Sequence, residues 1–302
     1  MADNDGQTHE IESLLDGKYY DLDSEELAFF KKQTGITDEN ALKKHIMMVQ
    51  NEAYKVHRYR CILRFNFTKL KISRLPAYRH LLKLGKERNN AIFLDLGCCF
   101  GNDVHKAVAD GFPIHSAIAS DLHPEFWELG LKLFNTTRET FPVPFIPGDA
   151  LSPEFLPPTP PFYSVPSTPI PPLTSLKTLS PLLGHVSAIH ASSFFHLFNE
   201  SQQLQLARAV AGLLSPKLGS LIFGSHGGRE VKGLRHVKER EGGSWRTEPM
   251  FCHSPESWKE LWDGVIFTKG TVRVDASLRV SEKDADSDGV RSGTLVWSVV
   301  RL

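Results

Sequence analysis

From residue 91 onward strand-like and helix-like patterns alternate. That alternation predicts an α/β protein with a mostly parallel sheet of about seven strands and helices on both faces. Three observations carry the prediction. An apolar run, Ala91–Leu94, reaches an Asp95-x-Gly97 turn that runs on toward a helix. A second apolar run ends at Asp121 and a third at Asp149. Two β-rich runs, Thr268–Val280 and Thr294–Arg301, flank the acidic turn Glu282–Asp288, as a C-terminal antiparallel hairpin requires.

Residues 1–17 are polar and predicted to be loose. Asp23 with Glu26 resembles a capping box opening a helix that stops near Gly35, and Thr37 is placed to cap a second helix carrying Leu42, Ile46 and Val49. Residues 54–82 mix aromatic and basic side chains, among them Tyr54, His57, Tyr59, Phe65, Phe67 and Tyr78. Residues 18–88 therefore read as a helical cap before a nucleotide-binding domain at 89–302. The cap aromatics either pack it onto the core or wall a substrate pocket.

Strand Ala91–Leu96 leads into a helix from about Asn102, with Val104, Ala107 and Val108 on one face and Gly111 as its stop. Strand Ile114–Ser120 precedes helix Pro124–Phe134, whose proline takes the favoured first position. Strand Val143–Pro147 follows. Residues 151–183 then hold ten of the 19 prolines, a density that no interior strand or packed helix tolerates, so a mobile surface insertion is predicted. Strand His185–His190 resumes the sheet, Asn199 with Gln202 opens a helix to Leu214, and strand Ser220–Gly224 comes next. The glycine-rich stretch 225–249 reads as a flexible loop. Ser254-Pro255 starts a helix whose Trp258, Leu261, Trp262 and Val265 follow an i, i+3, i+4, i+7 stripe.

Composition narrows the function. The 302 residues are 41% apolar, enough for a large core, and their formal net charge is zero. A nucleic-acid binder needs a basic face, so nucleic acid is not expected as a partner. No apolar run approaches the roughly 20 residues of a membrane span, and the polar, acidic start does not resemble a secretory signal. Cys61, Cys98, Cys99 and Cys252 show no C-x-x-C spacing, so no metal is expected and the cysteines read as reduced, in a cytoplasmic protein.

Ligands of such sheets bind outside the carboxyl ends of the strands, where all three acidic turns fall. Gly97 and Gly101 let the backbone approach a ligand, and the following helix offers free N–H groups. A dinucleotide site wants G-x-G-x-x-G, but Cys99 and Asn102 stand at its second and third glycines. Asp95, two residues before the first glycine, suits the ammonium of S-adenosylmethionine. Asp121 is placed to accept from ribose hydroxyls and Asp149 from the adenine amino group. The cofactor predicted is S-adenosylmethionine.

These residues resemble the Rossmann-like class I S-adenosylmethionine-dependent methyltransferases, with Cys99 replacing the middle glycine of their usual motif. A narrower resemblance lies in Leu94-Asp-Leu-Gly-Cys-Cys-Phe-Gly101, Ser120-Asp-Leu-His-Pro-Glu-Phe-Trp-Glu-Leu-Gly130 and His190-Ala-Ser-Ser-Phe-Phe-His-Leu-Phe198. These stretches, with Tyr59–Pro76 and Met250–Trp262, are similar to fungal methyltransferases acting on polyketide and meroterpenoid intermediates. The resemblance covers about residues 18–270 outside the proline-rich insertion. It implies cofactor contacts at Asp121-Leu122 and Asp149-Ala150, a homodimer, and in several members methyl-ester formation on a carboxyl group.

A phenol or alcohol acceptor needs a general base, whereas a carboxylate does not. His190, His196 and His226 are the candidate bases, and His196 could instead orient a carboxylate. The end of the fourth strand lacks the Asn/Asp-Pro-Pro-Tyr/Phe signal of nucleobase methylation. Phe194, Phe195 and Phe198 suit a bulky apolar small molecule. Two other functions fit the same fold: a non-catalytic binding subunit and a nicotinamide-dependent oxidoreductase.

Overall fold

The computed structural model describes residues 17–241, 244–285 and 289–302, with the side chains of 237–248 and 281–288 left aside. The expected loose tail therefore falls outside the described residues, apart from Gly17, as do Gly242, Gly243 and residues 286–288 of the predicted acidic turn.

The cap segment is helical. Helix α1 (Ser24–Thr34) opens on the predicted capping box of Asp23 and Glu26 and ends on Gly35 at φ 73°. Helix α2 (Glu39–Val56) is capped by Asp38 rather than Thr37; the Asp38 carboxylate accepts from Ala41 N at 2.7 Å. Short helix α3 (Arg60–Leu63) and two 3₁₀ turns, Asn66–Thr68 and Ile72–Arg74, lead to α4 (Tyr78–Glu87). Phe65 and Phe67 are buried in one cluster with Phe100 and Phe126, so these two cap aromatics are packing residues.

The main sheet has seven strands in the order β3-β2-β1-β4-β5-β9-β8. Strands β1 (Phe93–Leu96), β2 (Ala117–Asp121), β3 (Phe145–Pro147), β4 (Ala188–His190) and β5 (Leu221–Arg229) run parallel; β9 (Arg291–Arg301) and β8 (Val272–Ala285) complete the sheet antiparallel. Helices α5 (Asn102–Ala109), α6 (Pro124–Leu133), α7 (Glu200–Leu213) and α8 (Pro255–Trp262) join the strands. All four residues of β1 are buried, as expected for a strand covered on both faces.

Several boundaries differ from expectation. Strand β2 starts at Ala117 because Ile114–Ser116, lying nearer the surface after Pro113, turns as 3₁₀. Helix α8 stops at Trp262, leaving Val265 58% exposed. Outside Gly242 and Gly243, the glycine-rich stretch is mostly strand rather than loop. Gly227 and Gly228 extend β5 and pair with Thr294 and Gly293 of β9. A Cβ on Gly228 would sit 2.7 Å from Leu295 Cβ, so this glycine serves close packing rather than mobility. Beyond it, β6 (Gly233–Glu241) and β7 (Ser244–Cys252) pair antiparallel as a separate two-stranded sheet.

The insertion at 151–183 contains only turns and short 3₁₀ pieces, as its prolines dictate, yet it is not a detached loop. Leu179 and Leu182 are fully buried in the main core, joined by Phe155, Leu156 and Leu176. Side chains of the body also tie it down: Gln205 Nε2 donates to Leu151 O at 2.9 Å and Arg301 Nη2 to Phe162 O at 2.6 Å.

Candidate active site

The turn after β1 is strapped to β2 by two backbone bonds, from Gly97 N at 2.8 Å and Cys98 N at 3.1 Å to Ser120 O. Gly97, Cys99 and Gly101 all take left-handed backbone, at φ 72°, 52° and 71°. Both glycines are also sterically required. A Cβ on Gly97 would meet the Phe194 ring at 2.6 Å, and one on Gly101 the Trp127 ring at 2.5 Å. Cys99 adopts the same conformation with a side chain, at a cost of about 1–2 kcal/mol. The geometry expected of a middle glycine is thus kept.

Asp121 holds this turn open. Its Oδ2 accepts from Cys99 N at 2.9 Å and its Oδ1 from His123 N at 3.1 Å. Burial raises the Asp121 carboxyl, against the lowering effect of these two N–H groups. Each carboxylate oxygen retains a second lone pair for a ligand hydroxyl. Leu122 beside it is 55% exposed. Asp149 is exposed and its Oδ1 accepts from Leu151 N at 2.9 Å, forming the turn that starts the insertion; Ala150 is buried. Phe141 and Val143 anchor the approach to β3 in the core.

Asp95 and His190 stand side by side on β1 and β4 and are both buried. His190 Nδ1 lies 2.8 Å from Asp95 Oδ1 and its Nε2 2.7 Å from Ser192 Oγ. Burial pulls the imidazole down, but the bond to Asp95 and its charge outweigh that and raise it. With both ring nitrogens engaged, His190 orients Asp95 instead of facing an acceptor. Asp95 Oδ2 is buried with no partner, an orphan acceptor beside Gly97. Such an atom asks for a donor, and an ammonium supplies one. The residues present therefore fit S-adenosylmethionine: Asp95 for its amino group, Asp121 for its ribose and the N-terminus of α5 behind the glycine turn.

His226 sits in a tryptophan cluster, between Trp258 at 4.7 Å and Trp297 at 5.9 Å between ring centroids. Trp297 Nε1 donates to its Nδ1 at 3.0 Å, and burial keeps the ring neutral, well below the usual histidine range. At 3% exposure it is a core residue. His196, half-buried on the 3₁₀ turn Phe195–Leu197, accepts from Gly227 N at 3.3 Å through Nδ1. Burial, with the charges of Lys71 and Arg235, pushes it down to about 4. A neutral ring accepting at Nδ1 carries its proton on Nε2. His196 is then a hydrogen-bond donor.

Two site residues were not foreseen. Lys71, at the start of the 3₁₀ turn Ile72–Arg74, reaches Ser193 Oγ at 3.4 Å. Ser193 itself is left-handed at φ 54°, with its N–H on Ser225 O at 2.6 Å. No local pattern marks Lys71 among the other basic residues of the cap; only the fold brings it across 122 residues to the end of β4.

A parallel sheet with an antiparallel C-terminal strand inserted beside β5, a glycine turn closing β1 and an acid closing β2 define the class I S-adenosylmethionine-dependent methyltransferases. Residues 18–68 match the model of the meroterpenoid methyltransferase N-terminal domain. The Asnovolin E/Chermesin D methyltransferase nvfJ of Aspergillus novofumigatus is 30% identical over 257 residues, covering 85% of this chain and 82% of that protein. Methyltransferase adrK of Penicillium roqueforti is 31% identical over 221 residues, 73% of this chain and 69% of that one. O-methyltransferase atr3 of Stereocaulon alpinum is 30% identical over 239 residues, but the match spans 61% of its length. Among solved structures, the DhpI–SAH complex aligns at a TM-score of 0.45 and 10% identity, over 88% of this chain and 98% of that one. The chain belongs to this family of fungal methyltransferases. That membership displaces the nicotinamide reading. Among the described residues no helix is long and apolar enough to cross a membrane.

Proposed function

We propose that this protein transfers a methyl group from S-adenosylmethionine to a carboxylate oxygen of a bulky apolar polyketide or meroterpenoid intermediate, forming a methyl ester; a hydroxyl is the alternative acceptor. The reading includes a cytoplasmic homodimer. One observation carries the choice of carboxylate: none of the three candidate histidines presents a free ring lone pair to an acceptor. His190 is held by Asp95 and Ser192, His226 accepts from Trp297, and His196 accepts from Gly227.

Bound S-adenosylmethionine supplies a methyl group already activated on sulfonium sulfur. A carboxylate needs no proton removed, so the protein's part is to hold the acceptor in line and keep water out. Asp95 would hold the cofactor's amino group and Asp121 its ribose. Phe194, whose ring lies against Gly97, and Phe198 offer apolar surface next to His196. The relatives' names support a small-molecule acceptor of secondary metabolism.

The test is incubation with methyl-labelled S-adenosylmethionine and a panel of polyketide-type aromatic acids. Label released as methanol by mild alkali identifies an ester. Alkali-stable label identifies an ether and rejects the carboxylate reading.

A further inference from the structure

Lys71 is half-buried, and among the described residues no carboxylate lies within ion-pair distance of it. Its neighbours in the same segment are differently placed. Lys69 is paired to the buried Glu26 at 2.9 Å, and Arg74 Nη1 to the same carboxylate at 3.1 Å. Asp103, whose electrostatics Lys71 influences, is buried and spends its Oδ1 on Ile72 N at 3.0 Å. The Lys71 charge is felt at Cys61, Cys99, His190 and His196 alike. The contact with Ser193 and the tie of Ile72 N to Asp103 of α5 place Lys71 where the cap meets α5 and the turn after β4. Arg235 adds a second positive charge near His196. Buried charges are normally paired, and a half-buried ammonium whose one polar side-chain contact among the described residues is a weak 3.4 Å bond to Ser193 leaves room for an anion.

We infer that Lys71, together with Ser193 Oγ and the Nε2–H of His196, is the receptor for the acceptor's carboxylate. This rests on the methyl-ester reading. The same chemistry would serve the amino-acid carboxylate of the cofactor. The acceptor is favoured because the polar atom Lys71 touches belongs to Ser193, three residues from His196, rather than to the glycine turn. The left-handed Ser193, tied to β5 by its own N–H, keeps that hydroxyl in place. Recognition by charge also gives turnover a direction. An anionic acid is held, and its neutral ester, having lost the charge that Lys71 grips, is released.

The experiment is calorimetric titration of wild type, Lys71→Met and Lys71→Arg. Each is titrated with S-adenosylhomocysteine and with 5′-methylthioadenosine, which lacks the amino-acid carboxylate. Each is then saturated with S-adenosylhomocysteine and titrated with 2,4-dihydroxy-6-methylbenzoate and with its methyl ester. Wild type should prefer the acid. Lys71→Met should lose about tenfold or more of the acid affinity, the scale of a charge-assisted hydrogen bond, with the ester and S-adenosylhomocysteine unaffected; Lys71→Arg should recover most of it. Unchanged acid affinity in Lys71→Met overturns the assignment. So does weaker S-adenosylhomocysteine binding with normal methylthioadenosine binding, which would give Lys71 to the cofactor. A wild type that does not distinguish acid from ester overturns the ester reading itself.

Discussion

Buried neutral histidines make this protein acid-labile, and one substitution isolates the effect. His105, on the helix that follows the glycine turn, is 2% exposed and stacked between Phe134 at 3.9 Å and Phe141 at 3.6 Å. Burial pushes it down to about 3, His253 to about 4, and His226 well below the usual range. In the unfolded chain each would titrate near 6.5. Below that value the unfolded state binds more protons than the folded one, so stability falls as pH drops from about 6.5 toward the folded values. At about pH 5 His105 and His253 have each cost about 2 kcal/mol, a large share of a domain's stability, and His226 adds to the loss in the same direction. His190 works the other way. Its raised value gives stability that is fully present below about 6.5 and fades as pH rises through the folded value. His105→Phe keeps a ring between Phe134 and Phe141 and removes the proton site. Urea unfolding at about pH 7.5 and about pH 5 should show His105→Phe losing about 2 kcal/mol less than wild type on acidification. Equal losses would refute the assignment of His105 as a buried neutral group.

Three further outcomes are expected. Asp121→Asn turns one acceptor oxygen into a donor facing a backbone N–H, and calorimetry should show S-adenosylhomocysteine binding weakened about 10- to 100-fold; near-normal affinity would mean that Asp121 serves the turn alone. Leu179→Ala, at a fully buried site in the insertion, should cost about 2–5 kcal/mol in chemical denaturation. A loss near zero would make 151–183 the detached loop its composition suggests. Cys99→Gly should relieve about 1 kcal/mol of left-handed strain and leave cofactor affinity intact, measured by thermal melting and titration; a destabilised variant would show that the thiol's packing outweighs the strain.

The parallel strands and their acidic ends were readable because each signal is local. An apolar run followed by Asp-x-Gly, or a proline at a helix start, states its own structure. The capping boxes at Asp23 and Asn199 are equally local and stand as expected. What misled was composition taken without partners. Gly227 and Gly228 look like flexibility until β9 is laid beside them, and the prolines of 151–183 hide leucines that reach the core. The histidines were placed by strand end alone. Side-chain direction then separates them: His190 turns to Asp95, His226 to the tryptophans, and His196, on a 3₁₀ turn, stays half-open. Lys71 needed the whole fold, because it sits in the cap and its partner Ser193 follows β4.

The most direct measurement is calorimetric titration of the purified protein with S-adenosylmethionine and, separately, with S-adenosylhomocysteine. Binding of both at one site, in the roughly micromolar range (about −8 kcal/mol), is the predicted result. Binding of neither, by protein shown to be folded by its far-UV dichroism and cooperative melt, would contradict the assignment of Asp95, Gly97, Gly101, Asp121 and Asp149 as a cofactor site.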